Sequence, residues 1–171
     1  MVSIRIDSGS DGILPLLREL ETKACIRLSL AERILLAEIG TVEQMLSIIL
    51  DDTVTVKVIE QRECNGIIER IVNLVSEEPV IVAKSTIDTT VLPEQVVEDI
   101  RAKRLGLGSI LNRHRLETYR NILELGYEGS VDTVYRVYGI IYKGVNAFTI
   151  REEILRGALY RLARDNDKNI I

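Results

Sequence analysis

The chain has 171 residues, of which 46% are hydrophobic and 28% are charged, and its formal net charge is −4 at pH 7. This length suits one domain with a sizeable core, and the acidic balance disfavours a nucleic-acid partner, which needs a concentrated basic surface. Because aromatic residues make up only 4% of the chain, we expect an aliphatic core and no base-stacking surface for single-stranded nucleic acid.

The cysteines and the N-terminus exclude further classes. Cys25, Cys64 and the single histidine, His114, show no zinc-binding spacing, and we expect the cysteines to be reduced, partly buried thiols. The N-terminus lacks the apolar stretch of a signal peptide, and no segment approaches the roughly 20 apolar residues that a membrane span needs. We therefore expect a cytoplasmic protein without a membrane partner.

The N-terminal third predicts helices. Residues 1–10 are polar and are predicted to be a mobile lead-in. From Ile13 to Leu50 the apolar residues recur at three-, four- and seven-residue steps, which is the spacing of helices. Thr41 is a candidate N-cap, with Gln44 in the third position after it.

The apolar period then changes to that of strands. Strands are predicted at 53–60, 66–76, 80–88, 115–125, 133–142 and 146–155. The second and third are joined through the turn at Glu77–Pro79 as a hairpin. Pro93 opens a helix, and a C-terminal helix is predicted after Leu155, ending in a frayed tail at 166–171.

Two glycines, Gly106 and Gly108, interrupt the pattern between the hairpin and the next strand. They lack the third glycine and the preceding strand of a dinucleotide-binding loop. We interpret them as a tight turn that lets the backbone approach a ligand or a neighbouring strand closely. The whole chain is then a single α+β domain, one antiparallel sheet of about six strands with helices on one side.

Three charged residues are predicted to share strand faces with apolar residues, because side chains alternate across a strand. Arg70 aligns with Ile68 and Val72, Lys84 with Val80 and Val82, and Glu152 with Phe148 and Ile150. A buried charge needs a partner.

One interpretation is a structural ion pair between Arg70 and Glu152, or a strand face that is the solvent edge. The other is a pocket in which Arg70 and Lys84 await an anion and Glu152 serves as an acid or base, its resting protonation state being left open. Arg136 is a further candidate for this basic set. His114, between Arg113 and Arg115, is expected to lie in a solvated basic corner.

The order of short motifs resembles that of the chorismate lyase family. The segments are IERIVNLVSEEPVIVAKSTIDTTVLP, RLGLGSIL, YRNILELG, VYRVYG and FTIREEIL, and the resemblance covers roughly residues 30–156. Those enzymes split chorismate into 4-hydroxybenzoate and pyruvate without a cofactor. The resemblance therefore implies a lyase that has a small-molecule partner and no metal.

The resemblance also implies roles for individual residues. Arg70 corresponds to the arginine that grips the carboxylate of the substrate, and Glu152 to the glutamate that faces the hydroxyl of the product. Leu107 corresponds to a leucine whose backbone contacts the ligand. Lys84 stands where relatives often carry arginine. Lysine keeps the positive charge but cannot bind a carboxylate in a bidentate geometry. Val42 stands where relatives carry a methionine. A contact of the ligand with the backbone would be kept after this change, whereas a contact with the side chain would be lost.

The same fold also resembles the effector-binding domains of certain bacterial transcription regulators, which bind a small molecule and catalyse nothing. Those proteins carry a DNA-binding module of some 70 residues ahead of the sheet. Here about 50 residues precede the first predicted strand, and they show no basic recognition helix. This comparison favours the enzyme, with a non-catalytic aromatic-acid binding protein as the alternative.

Overall fold

The structure, a computed structural model, describes residues 1–6 and 12–167. The described residues form seven strands: β1 (Val2–Arg5), β2 (Thr55–Cys64), β3 (Ile67–Val75), β4 (Pro79–Asp88), β5 (Thr118–Glu128), β6 (Thr133–Tyr142) and β7 (Val145–Leu155). They also form six α-helices: α1 (Ile13–Ala24), α2 (Leu30–Ala37), α3 (Val42–Leu50), α4 (Glu94–Arg101), α5 (Leu107–Arg113) and α6 (Arg156–Asp167).

All seven strands belong to one sheet in the order β1-β5-β6-β7-β4-β3-β2, and every neighbouring pair is antiparallel. The predicted α+β class, with helices on one side of an antiparallel sheet, is confirmed. The sheet has one strand more than expected, because β1 pairs with the outer edge of β5, with Ile4 opposite Leu125.

The prediction of a mobile lead-in at residues 1–10 is wrong for Val2–Arg5. Ile4 is 5% exposed and anchors this short strand to the core, which a four-residue segment with a single buried side chain could not reveal by its period. Residues 7–10 of that prediction lie outside the described part of the chain. The predicted frayed tail is also partly wrong, because residues 166 and 167 end α6, whereas residues 168–171 lie outside the described part.

The core lies between the helices and one face of the sheet, here called the inner face. Along β3, Ile68, Arg70, Val72 and Leu74 alternate inward, and along β7 the inward residues are Phe148, Ile150, Glu152 and Ile154. Leu20, Leu35, Leu46 and Ile100 of the helices are fully buried in the same core. Each such aliphatic side chain contributes about 1.5–3 kcal/mol by leaving water.

The helices begin and end where local chemistry allows. Ser29 and Glu32 form a reciprocal capping box at the start of α2. Thr41 is the N-cap of α3 as predicted, although its side chain makes no capping hydrogen bond. The predicted change from strand to helix after Leu155 is confirmed, because β7 ends there and α6 follows without a loop.

The remaining expectations concern cysteines and membranes. Cys25 and Cys64 are both free, but both are exposed rather than partly buried. Among the described residues, no helix combines the length and the apolar character that crossing a bilayer requires.

Candidate functional site

A partly enclosed cavity, open to solvent on one side, lies between the inner face and the helices, and its walls mix apolar side chains with a few charged ones. Ligand pockets are commonly lined in this way. The sheet wall consists of Val56, Arg70, Val72, Leu74, Ala83, Ser85, Arg120, Tyr138, Ile140, Ile150 and Glu152. The opposite wall comes from the starts of α3 and α5 and consists of Gly40–Glu43 and Gly106–Gly108.

Arg70 projects into this cavity from β3 and is only 1% exposed. Its Nη2 donates to the backbone carbonyl of Leu105 at 2.5 Å, whereas Nε and Nη1 are buried without a hydrogen-bond partner. No acidic side chain of the described residues forms an ion pair with Arg70. Burial lowers the pKa of the guanidinium below its ordinary value, although an arginine so far above neutrality remains charged. Arg70 therefore keeps donors available for an anion.

Glu152 reaches the same cavity from β7, so both Arg70 and Glu152 line it. The two residues are not an ion pair. Glu152 Oε2 accepts from Arg136 Nε at 2.8 Å, and Glu152 Oε1 accepts from the hydroxyl of Tyr138 at 2.8 Å. Both hydrogen bonds are buried, and they fix the carboxylate in one orientation.

Arg136 shares the inner face but does not line the cavity. Besides Glu152, it donates to the backbone carbonyl of Glu38, and its Nη2 lies 3.3 Å from Glu38 Oε2. Burial is the largest single influence and lowers its pKa, but the charges of Glu152, Tyr138 and Glu38 and the hydrogen bond to Glu152 together raise the pKa above its ordinary value. Because its guanidinium is neutralised from two sides, Arg136 positions Glu152 rather than offering a free cation to a ligand, which corrects its prediction as a binding residue.

Tyr138 was not singled out in the sequence as a functional residue, although it lies two positions after Arg136 and therefore on the same face. Burial, followed by the charge of Glu152, raises the pKa of its phenol well above the ordinary value of 10.0. Tyr138 therefore stays protonated and remains a donor to Glu152.

The prediction that Lys84 lines the pocket is wrong. Lys84 lies on the opposite, outer face of the sheet, exposed, with its Nζ 3.0 Å from Glu153 Oε1. The reason is that Val80–Ala83 is apolar on both faces, so alternation alone does not say which set points inward. Ser85, which pairs with Arg70 in the adjacent strand, occupies the inward position instead.

Val42 and Leu107 both line the cavity, on the wall opposite the sheet. The interpretation of Gly106 and Gly108 as points of close backbone approach is confirmed, although they start a helix rather than form a turn. A Cβ on Gly106 would come within 3.1 Å of Glu43 and Val56, and a Cβ on Gly108 within 3.1 Å of Thr41. Small residues are required there because α3 and α5 meet closely.

Two further charged residues of the cavity are not marked by the sequence pattern. Arg120 of β5 donates from Nη1 to the carbonyl of Ile39 at 2.7 Å, and its buried Nε has no partner. Glu43 of α3 lies in the opposite wall, with Oε2 3.4 Å from the hydroxyl of Ser109. The register of β5 shifts between Ile122 and Glu124, so counting in twos back from the buried Leu125 does not place Arg120 on the inner face. Glu43 resembles an ordinary first-turn acid of a helix.

His114 is not part of the cavity. It ends α5, with Nε2 2.9 Å from Asp99 Oδ2 and with Arg113 bound to the same carboxylate. Within residues 1–6 and 12–167, no three His, Cys, Asp or Glu side chains gather in a metal-binding arrangement.

No family of known proteins and no curated relative matches the sequence. Among solved structures, the chain is similar to the crystal structure of a transcriptional regulator of the GntR family from Bacillus cereus. The two are 11% identical with a TM-score of 0.43, and the match covers 61% of this chain and 92% of that chain. At this level the likeness concerns the fold and carries no argument about function.

Proposed function

We propose that the cavity binds a small aromatic acid through its carboxylate. The observation that carries the proposal is Arg70, a buried guanidinium with two nitrogens that have no hydrogen-bond partner and with no acidic partner in the described chain. Its planar fork matches a carboxylate in a bidentate geometry. Val72, Leu74 and Ile140 provide apolar walls for a ring.

We propose further that the acid is chorismate and that the chain is a lyase, as its resemblance to chorismate lyases implies. Chorismate carries two carboxylates, so two cations are needed. Arg70 takes one of them, and Arg120 takes the other in place of Lys84, which lies on the outer face. The free Nε of Arg120 supports this assignment.

The reaction needs little machinery. The ether bond between the ring and the enolpyruvyl group breaks as the neighbouring ring carbon loses its proton, and aromatisation drives the change. Glu152 is the group that accepts the proton, held in place by Arg136 and Tyr138. The two arginines orient the substrate, and this positioning supplies the rest of the rate enhancement. We expect the chain to need no metal or organic cofactor.

One observation favours a non-catalytic alternative. Both oxygens of Glu152 already accept buried hydrogen bonds, an arrangement that equally suits a purely structural ion pair. In that case the cavity binds an aromatic acid without changing it, as a sensing domain does.

Incubation of the purified protein with chorismate distinguishes the two functions. The lyase yields 4-hydroxybenzoate and pyruvate in equal amounts, both abolished by Arg70→Met and unaffected by Lys84→Met, the matched change on the outer face. Absence of product together with calorimetric binding of 4-hydroxybenzoate favours the alternative. Absence of both contradicts the carboxylate site itself.

A further inference from the structure

Glu43 brings a second carboxyl group into the cavity, on the wall opposite the sheet. It is partly buried, and among the described residues no basic side chain lies within ion-pair distance of it. Its hydrogen-bond partner is the hydroxyl of Ser109 at 3.4 Å, and its Oε2 lies so close to Gly106 that a Cβ there would come within 3.1 Å of it. A first-turn glutamate can serve a helix from solvent, so packing into the cavity calls for another role.

The two carboxyl groups of the cavity differ in their surroundings. Glu152 is paired with a buried arginine and accepts a hydrogen bond from a tyrosine. Glu43 takes part in none of the salt bridges among the described residues, and its Oε2 lies close to the backbone at Gly106, where α5 begins. Two carboxyl groups in such different surroundings are suited to separate roles, one as acid and the other as base.

We infer that Glu43 is the general acid that protonates the departing ether oxygen, while Glu152 is the base that takes the ring proton. This inference rests on the proposed lyase function and adds a catalytic residue to it. The residue assigned this role reaches the site from α3, so the proton donor and the proton acceptor lie on opposite walls of the cavity.

The proton and electron balance is complete without a further reactant. The ring C–H bond breaks, its electron pair forms the new ring double bond, and its proton passes to Glu152. The carbon–oxygen bond of the ether breaks with its electron pair leaving on oxygen, which receives the proton of Glu43. The enolpyruvate so formed becomes pyruvate, and the two carboxyl groups exchange protons with water before the next turnover.

The charged and titratable groups that face Glu43 across the cavity are Arg70, Arg120, Tyr138 and Glu152, while α5 offers it only the hydroxyl of Ser109. Burial raises the pKa of Glu43 above its ordinary value of 4.5, and the hydrogen bond from Ser109 lowers it in part. The acid form is therefore retained to higher pH than in a solvated glutamate, as a proton donor requires.

The test is the pH dependence of chorismate turnover by the full chain and by two variants. In the wild-type protein kcat/KM should fall as pH rises through the pKa of Glu43. Glu43→Gln should lower kcat by roughly 100-fold, as expected for removal of a general acid, and should abolish that pH limb. Ser109→Ala should keep turnover at low pH and move the limb to higher pH, because the bond that lowers the pKa of Glu43 is gone.

Affinity and folding provide the controls. The Kd of 4-hydroxybenzoate for Glu43→Gln should stay within about threefold of wild type, since only proton transfer is removed, and the thermal melt should show a folded protein. Full turnover by Glu43→Gln, or a limb that does not move in Ser109→Ala, overturns the inference while leaving the lyase intact. Absence of product from the wild-type protein overturns both, and the two failures are therefore distinguishable.

Discussion

Replacing Arg70 by Met should strengthen the ligand-free fold while removing ligand binding. In the structure Nε and Nη1 of Arg70 are buried without partners, and only Nη2 forms a hydrogen bond. Each of the two unsatisfied buried donors costs about 1–3 kcal/mol, whereas the single hydrogen bond from the charged group to Leu105 contributes about 1.5–3 kcal/mol. The unmet donors therefore outweigh the bond. Because water in the cavity relieves part of the cost, we expect the free energy of unfolding to rise by about 1–2 kcal/mol.

The same change should weaken binding strongly. Removing one partner of a buried charge pair costs about 2–5 kcal/mol, which corresponds to a roughly 30- to 4,000-fold increase in Kd. The assays are urea unfolding of the ligand-free proteins and calorimetric titration with 4-hydroxybenzoate. A thermal melt should move upward by about 2–4 °C for each kcal/mol of stability in a chain of this size.

Lys84→Met is the matched control, because it removes a cation of similar length from the outer face, where Lys84 is exposed beside Glu153. It should change stability by no more than about 0.5 kcal/mol and leave affinity unaltered. Unchanged binding by Arg70→Met, or a loss of several kcal/mol of stability on that substitution, would refute the view that Arg70 is held for an anion.

Four further outcomes are expected. Glu152→Gln should reduce chorismate turnover more than affinity for 4-hydroxybenzoate and cost about 3 kcal/mol in urea unfolding, because it removes one of the two buried carboxylates beside Arg136 and leaves Glu38; a fully active variant would contradict the assigned role. Tyr138→Phe should cost about 1–3 kcal/mol by removing the donor to Glu152 Oε1, and unchanged unfolding would argue against that bond. Arg120→Met should raise the Kd for chorismate about tenfold or more but that for 4-hydroxybenzoate, which has one carboxylate, far less; equal losses would exclude Arg120 as the second cation site. Because burial raises the pKa of Glu43 in the folded state, the wild-type protein should lose stability relative to Glu43→Gln as pH rises from 4.5 through that raised pKa. A constant difference between the two unfolding free energies from about pH 4 to about pH 7, measured in urea, would contradict this.

The sequence predicted the fold well where the apolar period is clean. The β3–β4 hairpin and the change from β7 to α6 after Leu155 both follow from local period and turn chemistry. It failed for β1, because a strand of four residues at a sheet edge is stabilised by pairing with β5, a contact between distant parts of the chain.

Whether a site residue could be placed from the sequence depended on how clear the apolar period of its strand is. Arg70 and Glu152 each fall in step with three apolar residues of their strand, and the other set of residues on each strand is more polar, so their inward direction could be read from the sequence. The run Val80–Ala83 has no such alternation, and Lys84 was placed on the wrong face. Arg120 and Glu43 reach the cavity only through the packing of β5 and α3 around it, which no local pattern encodes.

The complex with 4-hydroxybenzoate tests the central claim most directly, because it shows where the carboxylate goes. A crystal structure of that complex should place one carboxylate oxygen about 3 Å from Nε or Nη1 of Arg70 and the other beside Nη2, which completes either fork of the guanidinium, with the ring between the sheet and the starts of α3 and α5. A molecule bound elsewhere on the protein, or one that leaves both Nε and Nη1 unpaired, would contradict the account.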